Sequence, residues 1–259
     1  MSRGTTDDLL VQLAHREPVD RPVAVVVAHP DDETVGAGAT LSLFRHLRLV
    51  HVTDGAPRNQ HDAHVAGLAG WEDYAVARDR ELAAALRVGG VRPRDMVRMG
   101  IPDQSAAFHL VSLAAWLREI LFGFAAVVTH AYEGGHPDHD AVAFAVQAAG
   151  VPTIEMAGYH ATAHGSIEVG RFLSDADATV IPLSERERVT RDTMLACFIT
   201  QRRTLTPFFG LTEECFRAAP RYDFTQPPSA HVYYDGFDWG MTSARWCTLA
   251  AQALPCCAS

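Results

Sequence analysis

An unbroken apolar run, Val23-Ala24-Val25-Val26-Val27, leads without a spacer into Ala28-His29-Pro30-Asp31-Asp32-Glu33. Such a run, with no polar alternation, predicts a strand buried on both faces, the kind found in a parallel sheet sandwiched between helices. The histidine and acidic residues that follow cannot join that core, so the chain has to turn at Pro30 and leave them at the carboxyl end of the strand. Comparable runs from Leu47 to Val52, Met96 to Met99, Ala125 to Thr129 and Thr153 to Ala157 alternate with helical patterns at Gly36 to Arg45, Trp71 to Leu86, Leu110 to Phe122, Asp138 to Ala149 and Ser184 to Thr200. That alternation predicts an α/β chain of βαβ units, with a mainly parallel sheet and helices on both faces.

The length of 259 residues suits one domain spanning 1–259. Residues 204–259, rich at first in Pro, Gly and aromatics, read as an irregular wrap closing over the site before a final helix near Met241 to Ala253. Residues 56–70, with His61 and His64, read as a long loop bordering the cleft and a candidate lid. The 31 acidic and 22 basic residues leave a net charge of -9 without a basic tract, which argues against nucleic acid or an anionic membrane as partner. The start, Met1-Ser2-Arg3-Gly4-Thr5-Thr6-Asp7-Asp8, lacks the charged and apolar pattern of a secretory signal. No apolar stretch approaches the ~18 residues of a membrane span, so the expectation is a cytoplasmic protein. Five cysteines, an odd number with no Cys-x-x-Cys pair, suit a reducing compartment and are given no role. Homo-oligomer formation is left open.

Ligands of an open parallel sheet bind outside the carboxyl ends of its strands. His29, Thr53-Asp54-Gly55 and the stretch from His130 to His139 all fall there. A catalytic metal requires neutral imidazole and carboxylate ligands and an unliganded base beside its water. His29 supplies such a nitrogen and Asp32 a carboxylate oxygen, while Asp31, projecting differently, is placed to act as base. Glu33 suits the turn or the first turn of the next helix, where negative charge is favourable. His136-Pro137-Asp138-His139 offers the remainder. Pro137 suits the first turn of a helix, and His139, on the face of His136, is the better ligand candidate of the two. His136 then lies beside the metal, free to give a proton or a hydrogen bond to an oxyanion, and Asp138 orients an imidazole. Gly134-Gly135 lets the backbone pass close to a substrate. A simple capped helix start explains neither His29 nor the second cluster.

With Gly36-Ala37-Gly38, Thr53-Asp54-Gly55 and Arg78-x-x-Glu81, the two clusters make residues 23–150 resemble the LmbE-like, or PIG-L-like, zinc-dependent N-acetylglucosaminyl deacetylases. The resemblance implies a Rossmann-like three-layer fold, one zinc ion, and removal of an N-acetyl group from an N-acetylglucosamine-type amino sugar or its conjugate. Iron(II) suits the same nitrogen and oxygen donors. The resemblance also implies that His29, Asp32 and His139 hold the metal, Asp31 is the general base, and His136, protonated, shares charge on the oxyanion. Arg78 and Asp103 fall where the family contacts the sugar. Some members carry a tyrosine two residues before the first histidine of the second motif. Here that position is Gly134, with Tyr132 two positions further back as its candidate substitute. Trp71, Phe209 and Tyr234 are candidate stacking partners for a sugar face.

Two rivals share these features. One is a zinc amidase acting on a longer N-acyl group of a glycoconjugate. The other is a nucleotide- or phosphate-binding module using Gly36-x-Gly38. The latter is weakened by Leu41 where Gly-x-Gly-x-x-Gly needs its third glycine, and by acidic residues before the helix that would repel a pyrophosphate.

Overall fold

The apolar run at Val23 becomes an interior strand of a seven-stranded sheet in a computed structural model that describes residues 3–257. Met1 and Ser2, the start of the stretch read for a secretory signal, lie outside those residues. In chain order the elements are α1 (Arg3–Ala14), β1 (Val23–Val27), α2 (Asp32–Ala37), β2 (Leu47–Pro57), α3 (His61–Val65), α4 (Trp71–Val88), β3 (Asp95–Asp103), α5 (Leu110–Ile120), β4 (Ala126–His130) and α6 (Pro137–Ala149). They continue as β5 (Thr153–Met156), β6 (Tyr159–Ala161), β7 (Ile167–Val169), β8 (Thr179–Pro182), α7 (Glu185–Leu195), α8 (Arg202–Leu205), β9 (Glu213–Ala218) and α9 (Ser243–Cys257).

The strand order is β3-β2-β1-β4-β5-β9-β8. The first five are parallel, and β9 and β8 add antiparallel neighbours at one edge. β6 and β7 form a separate hairpin. Alternate residues of β1 feed two cores: Val23, Val25 and Val27 pack with Leu82 and Met194, whereas Ala24, Val26 and Ala28 pack with Leu113, Val142 and Trp246. Helices therefore cover both faces, and a one-residue slip of β1 would exchange the two sets of side chains. The order runs β1-β2-β3 one way and β4-β5 the other. Its reversal between β1 and β4 leaves a crevice at their carboxyl ends, where such sheets bind ligands.

Three sequence expectations are corrected. The helix expected from Gly36 to Arg45 starts earlier, at Asp32, and stops at Ala37, so the acidic residues are its first turn. The helix expected to reach Thr200 ends at Leu195, followed by a short 3-10 turn at Ile199–Gln201. The wrap expected over 204–238 is not wholly irregular, because β9 runs inside the main sheet between β5 and β8. Within 56–70, the short helix α3 carries His61 and His64. No helix among the described residues is long and apolar enough to cross a membrane.

Candidate metal centre

The first cluster is shaped by a tight turn between β1 and α2. Asp31 carries φ 152°, a conformation L-residues rarely adopt, at a cost of order 1–3 kcal/mol. Neighbouring contacts hold it there: its N–H donates to Glu33 Oε2 (3.2 Å) and its Oδ2 accepts from Arg78 Nη2 (2.9 Å). Glu33, fully buried, also accepts from Thr34 Oγ1 and lies 3.1 Å from His51 Nε2, so it braces the turn. Asp32 Oδ2 accepts from the His29 N–H at 2.7 Å, which folds the carboxylate back toward the imidazole.

The second cluster follows β4. His136 is the N-cap of α6, where its Nδ1 accepts from the Asp138 N–H, and Pro137 opens the helix. Asp140 Oδ1 accepts from the Gly134 N–H, pinning the preceding loop. One turn into α6, His139 meets the first cluster. His29 Nδ1 lies 3.3 Å from Asp32 Oδ2, His139 Nε2 3.1 Å from Asp32 Oδ1, and the two ring nitrogens 3.3 Å apart. Donor atoms of a tetrahedral zinc site with bonds of about 2.0–2.1 Å are separated by roughly 3.3 Å, close to the spacing of each of these pairs. Donor atoms that all lie close to one another include those of His29, His136 and His139, and those of Asp32, His130 and His139.

The charge balance also fits a cation. Asp31, Asp32, Asp103 and Asp138 converge on the site, where the Arg78 guanidinium pairs with Asp31 and Arg203 lines the cavity. His29 Nε2 donates to Asp103 Oδ1 (3.0 Å) and lies 3.3 Å from Asp138 Oδ2, leaving Nδ1 facing Asp32 and His139. Burial opposes charge on His29, but Asp103, Asp138 and Asp32 outweigh it and raise its pKa well above the ordinary value. Burial, with the neighbouring histidines, lowers His139 to about 4 and keeps it a neutral donor despite Asp32. His136 is depressed to about 3 by burial and then by His29. The protonated His136 expected from the sequence is therefore neutral in this setting, and its proton sits on Nε2 because Nδ1 accepts a hydrogen bond. Asp31 is pushed up to about 8 by burial, with Arg78 pulling the other way.

A cavity of about 390 Å³ opens over these residues. Arg78 lines it, yet the side chain is buried and its guanidinium donates to Asp31, Pro30 O (2.7 Å) and Gly55 O (3.3 Å). Gly55 belongs there: at φ 62°, any Cβ would come within 2.9 Å of Pro30 and 3.1 Å of Arg78. Asp103 also lines the cavity, bonded to His29, and Asp138 accepts from the Gln104 and Ala106 N–H groups.

Tyr132 lies elsewhere. Its hydroxyl donates to Gln226 O, and its ring packs on Phe224 and Trp246 in the core. Gly135 makes room for protein, since a Cβ there would sit 2.3 Å from Tyr159 O. Trp71, Phe209 and Tyr234 do not line the cavity: Trp71 stacks under Arg58, and the fully buried Tyr234 donates to Asp140. Their neighbours Phe208 and Tyr233 line it instead, with Tyr159, Phe237 and Trp239. The sequence reading also missed His130, stacked on His139 at 3.9 Å, and Asp62 of α3. His130 was legible in principle, because it ends a buried, largely apolar strand, Ala126–His130, beside the strand that precedes His29.

The fold and the donor set together define a Rossmannoid α/β protein with a buried His/Asp cluster suited to one divalent cation. Comparison with known proteins narrows the class. Residues 24–150 match the family described as PIG-L: GlcNAc-PI de-N-acetylase, and the chain belongs to this PIG-L/LmbE-like family. A 1D-myo-inositol 2-acetamido-2-deoxy-alpha-D-glucopyranoside deacetylase from Salinispora arenicola is 35% identical over 46% of this chain and 47% of its own length. The enzyme of the same name from Thermobifida fusca is 34% identical over 46% of this chain and 51% of its own. The chain thus spans about half the length of the curated relatives it matches. The crystal structure of the A40926 pseudoaglycone deacetylase Dbv21, at 18% identity, shares the fold with a TM-score of 0.61 over 79% of this chain and 99% of that one.

Proposed function

We propose that the protein is a metal-dependent N-deacetylase that releases acetate from an N-acetylglucosamine-type amino sugar or its conjugate. The observation that carries this reading is the close pairwise approach of His29, Asp32 and His139, with Asp31 beside them. Those three residues would hold zinc. When bound, zinc supplies Lewis acidity at the amide carbonyl and acidifies adjacent water.

The chain's own groups do the rest. Arg78 fixes Asp31 Oδ2, leaving Oδ1 to take the proton of the attacking water and return it to the departing amine. Asp31, held high by burial, would move toward the range a base requires beside a divalent cation held by these residues. His136 donates Nε2–H to the oxygen on which charge develops, acting as a neutral hydrogen-bond donor. Asp103 and Asp138 hold the far nitrogen of His29 and so set its ring plane. Arg78, with its nitrogens on Asp31 and two carbonyls, serves the sugar less directly than the resemblance implies. The sugar assignment is supported by family membership and by the amino-sugar names of the relatives.

The test is elemental analysis of the purified protein, then acetate release from free and conjugated N-acetylglucosamine. The expected result is one divalent ion per chain and release that stops on chelation. No release by the metal-loaded protein from any member of the panel would overturn the reading.

A further inference from the structure

The wall of the cavity differs in character on the two sides of the ligands, a polar lobe on one and a mainly apolar lobe on the other. Beside His29 and Asp103 the wall is polar. Asp62 presents a carboxyl with no hydrogen bond from the described residues, and Gln104 is held at φ 68° with its backbone N–H on Asp138. Beside Asp32 and His139 the wall is mainly apolar, although Gln201, Arg203 and Thr204 also line the cavity. Val35 and Gly36 lie three and four residues beyond Asp32, on its face of α2. Met156 pairs with His130 across β4 and β5, and it lies so close over Gly36 that a Cβ there would come within 2.5 Å of its Sδ. Leu205 and Phe208 close the lobe, and the Tyr159 ring stands 5.6 Å from His139 and 5.8 Å from Phe208.

The lobe is buried and braced. Met156, Leu205 and Phe208 are 2, 3 and 4% exposed. Arg191, itself buried, donates to Val35 O and Phe208 O and ties its two sides together. The side chains of Val35, Met156, Leu205 and Phe208 offer no conventional donor or strong acceptor, so a sugar hydroxyl placed among them would go unpaired, at a loss of about tenfold or more in affinity. A methylene placed there gains about fourfold. The polar lobe is the natural seat of the sugar.

We infer that the apolar lobe receives the substrate's acyl group and extends acceptance from acetyl to straight aliphatic chains such as hexanoyl. This rests on the amide-hydrolase reading of the metal centre, and the test separates the two. Zinc-loaded Asp31→Asn protein is titrated calorimetrically with N-acetylglucosamine and N-hexanoylglucosamine, so that binding is read without turnover. The hexanoyl compound binds at least tenfold more tightly. Leu205→Trp, which fills the lobe, brings the ratio toward one, and Met156→Ala, which deepens it, shifts the preference to octanoyl. Equal or weaker binding of the hexanoyl compound overturns the inference, as does a ratio that neither variant moves while circular dichroism shows both folded. Amine release by the wild type distinguishes the failures. Tight hexanoyl binding with no amide cut leaves the lobe standing and removes the hydrolase. Acetyl cleavage without any gain from the longer chain does the reverse.

Discussion

The ligand wall and the aromatic wall of the cavity are built differently. Residues 29–139 place His29 and Asp103 at strand ends and Asp32, His136 and His139 at helix starts, with backbone hydrogen bonds fixing Asp32 and His136. Residues 205–239 carry Phe208 and Tyr233 on short 3-10 turns, with Phe237 and Trp239 in the irregular chain that follows. There the rings hold one another. Tyr159 meets Tyr233 at 5.9 Å, Tyr233 meets Phe237 at 5.0 Å, Phe237 stacks on Trp239 at 4.4 Å, and Trp239 reaches His136 at 4.9 Å. Groups that must meet an ion to within tenths of an ångström sit on the rigid sheet, whereas surfaces that select a substrate ride on loops that tolerate change. The family match stops at residue 150, before β6 and the turns that carry the aromatic wall. The two regions are joined at a buried seam, where Glu214 accepts from Ala39 N–H (2.7 Å) and Thr40 Oγ1 (2.8 Å) beside Arg191.

If this division of labour holds, variants in the two walls fail in different ways. His139→Ala removes one of three ligands, so metal content falls and turnover disappears with it; full occupancy would strike His139 from the set. Asp31→Asn keeps its metal and loses on the order of 10²-fold or more in turnover, as removal of a general base demands, and rates near wild type would contradict that role. Asp138→Asn, which alters the carboxylate 3.3 Å from the His29 ring, weakens zinc about 10- to 100-fold in a competition titration. On the other wall, Trp239→Ala raises KM about three- to tenfold with metal content intact, the magnitude of a lost ring contact. A large loss of metal in that variant would erase the distinction between the walls.

At the seam the effect falls on stability instead of on metal or substrate. Burial pushes Glu214 up to about 7 from an ordinary 4.5, against the pull of its hydrogen bonds and Arg191. The folded protein then holds this proton more tightly than the unfolded chain. The contribution is fully present below the unfolded pKa and is lost as pH rises through the folded value, at most about 3 kcal/mol in all. Thermal midpoints of wild type and Glu214→Gln, compared from acid to alkaline pH, should therefore differ in slope across that window. Parallel curves would remove Glu214 from the account.

Much of the fold was legible because its signals are local. Mainly apolar runs marked the first five strands of the sheet, and Pro137 marked the start of α6. Strand β9 escaped notice because Glu214 and Arg217 interrupt its apolar pattern, and each is neutralised by partners distant in sequence: Arg191 and Thr40 for one, Glu155 and Glu133 for the other. The aromatic candidates went to the wrong member of each adjacent pair, Phe209 for Phe208 and Tyr234 for Tyr233. Consecutive aromatics on a short turn carry no periodicity from which a face can be read.

By itself the sequence determined that a buried strand ends in His29 and Asp32 and that His139 follows a helix start, because steric rules of turns and the burial of apolar runs act over a few residues. Only the tertiary structure decided that the nitrogens of His29 and His139 stand 3.3 Å apart, that Arg78 grips Asp31, and which rings face the cavity. Those relations arise from packing between segments far apart in the chain, where the position of each side chain depends on what the others leave free.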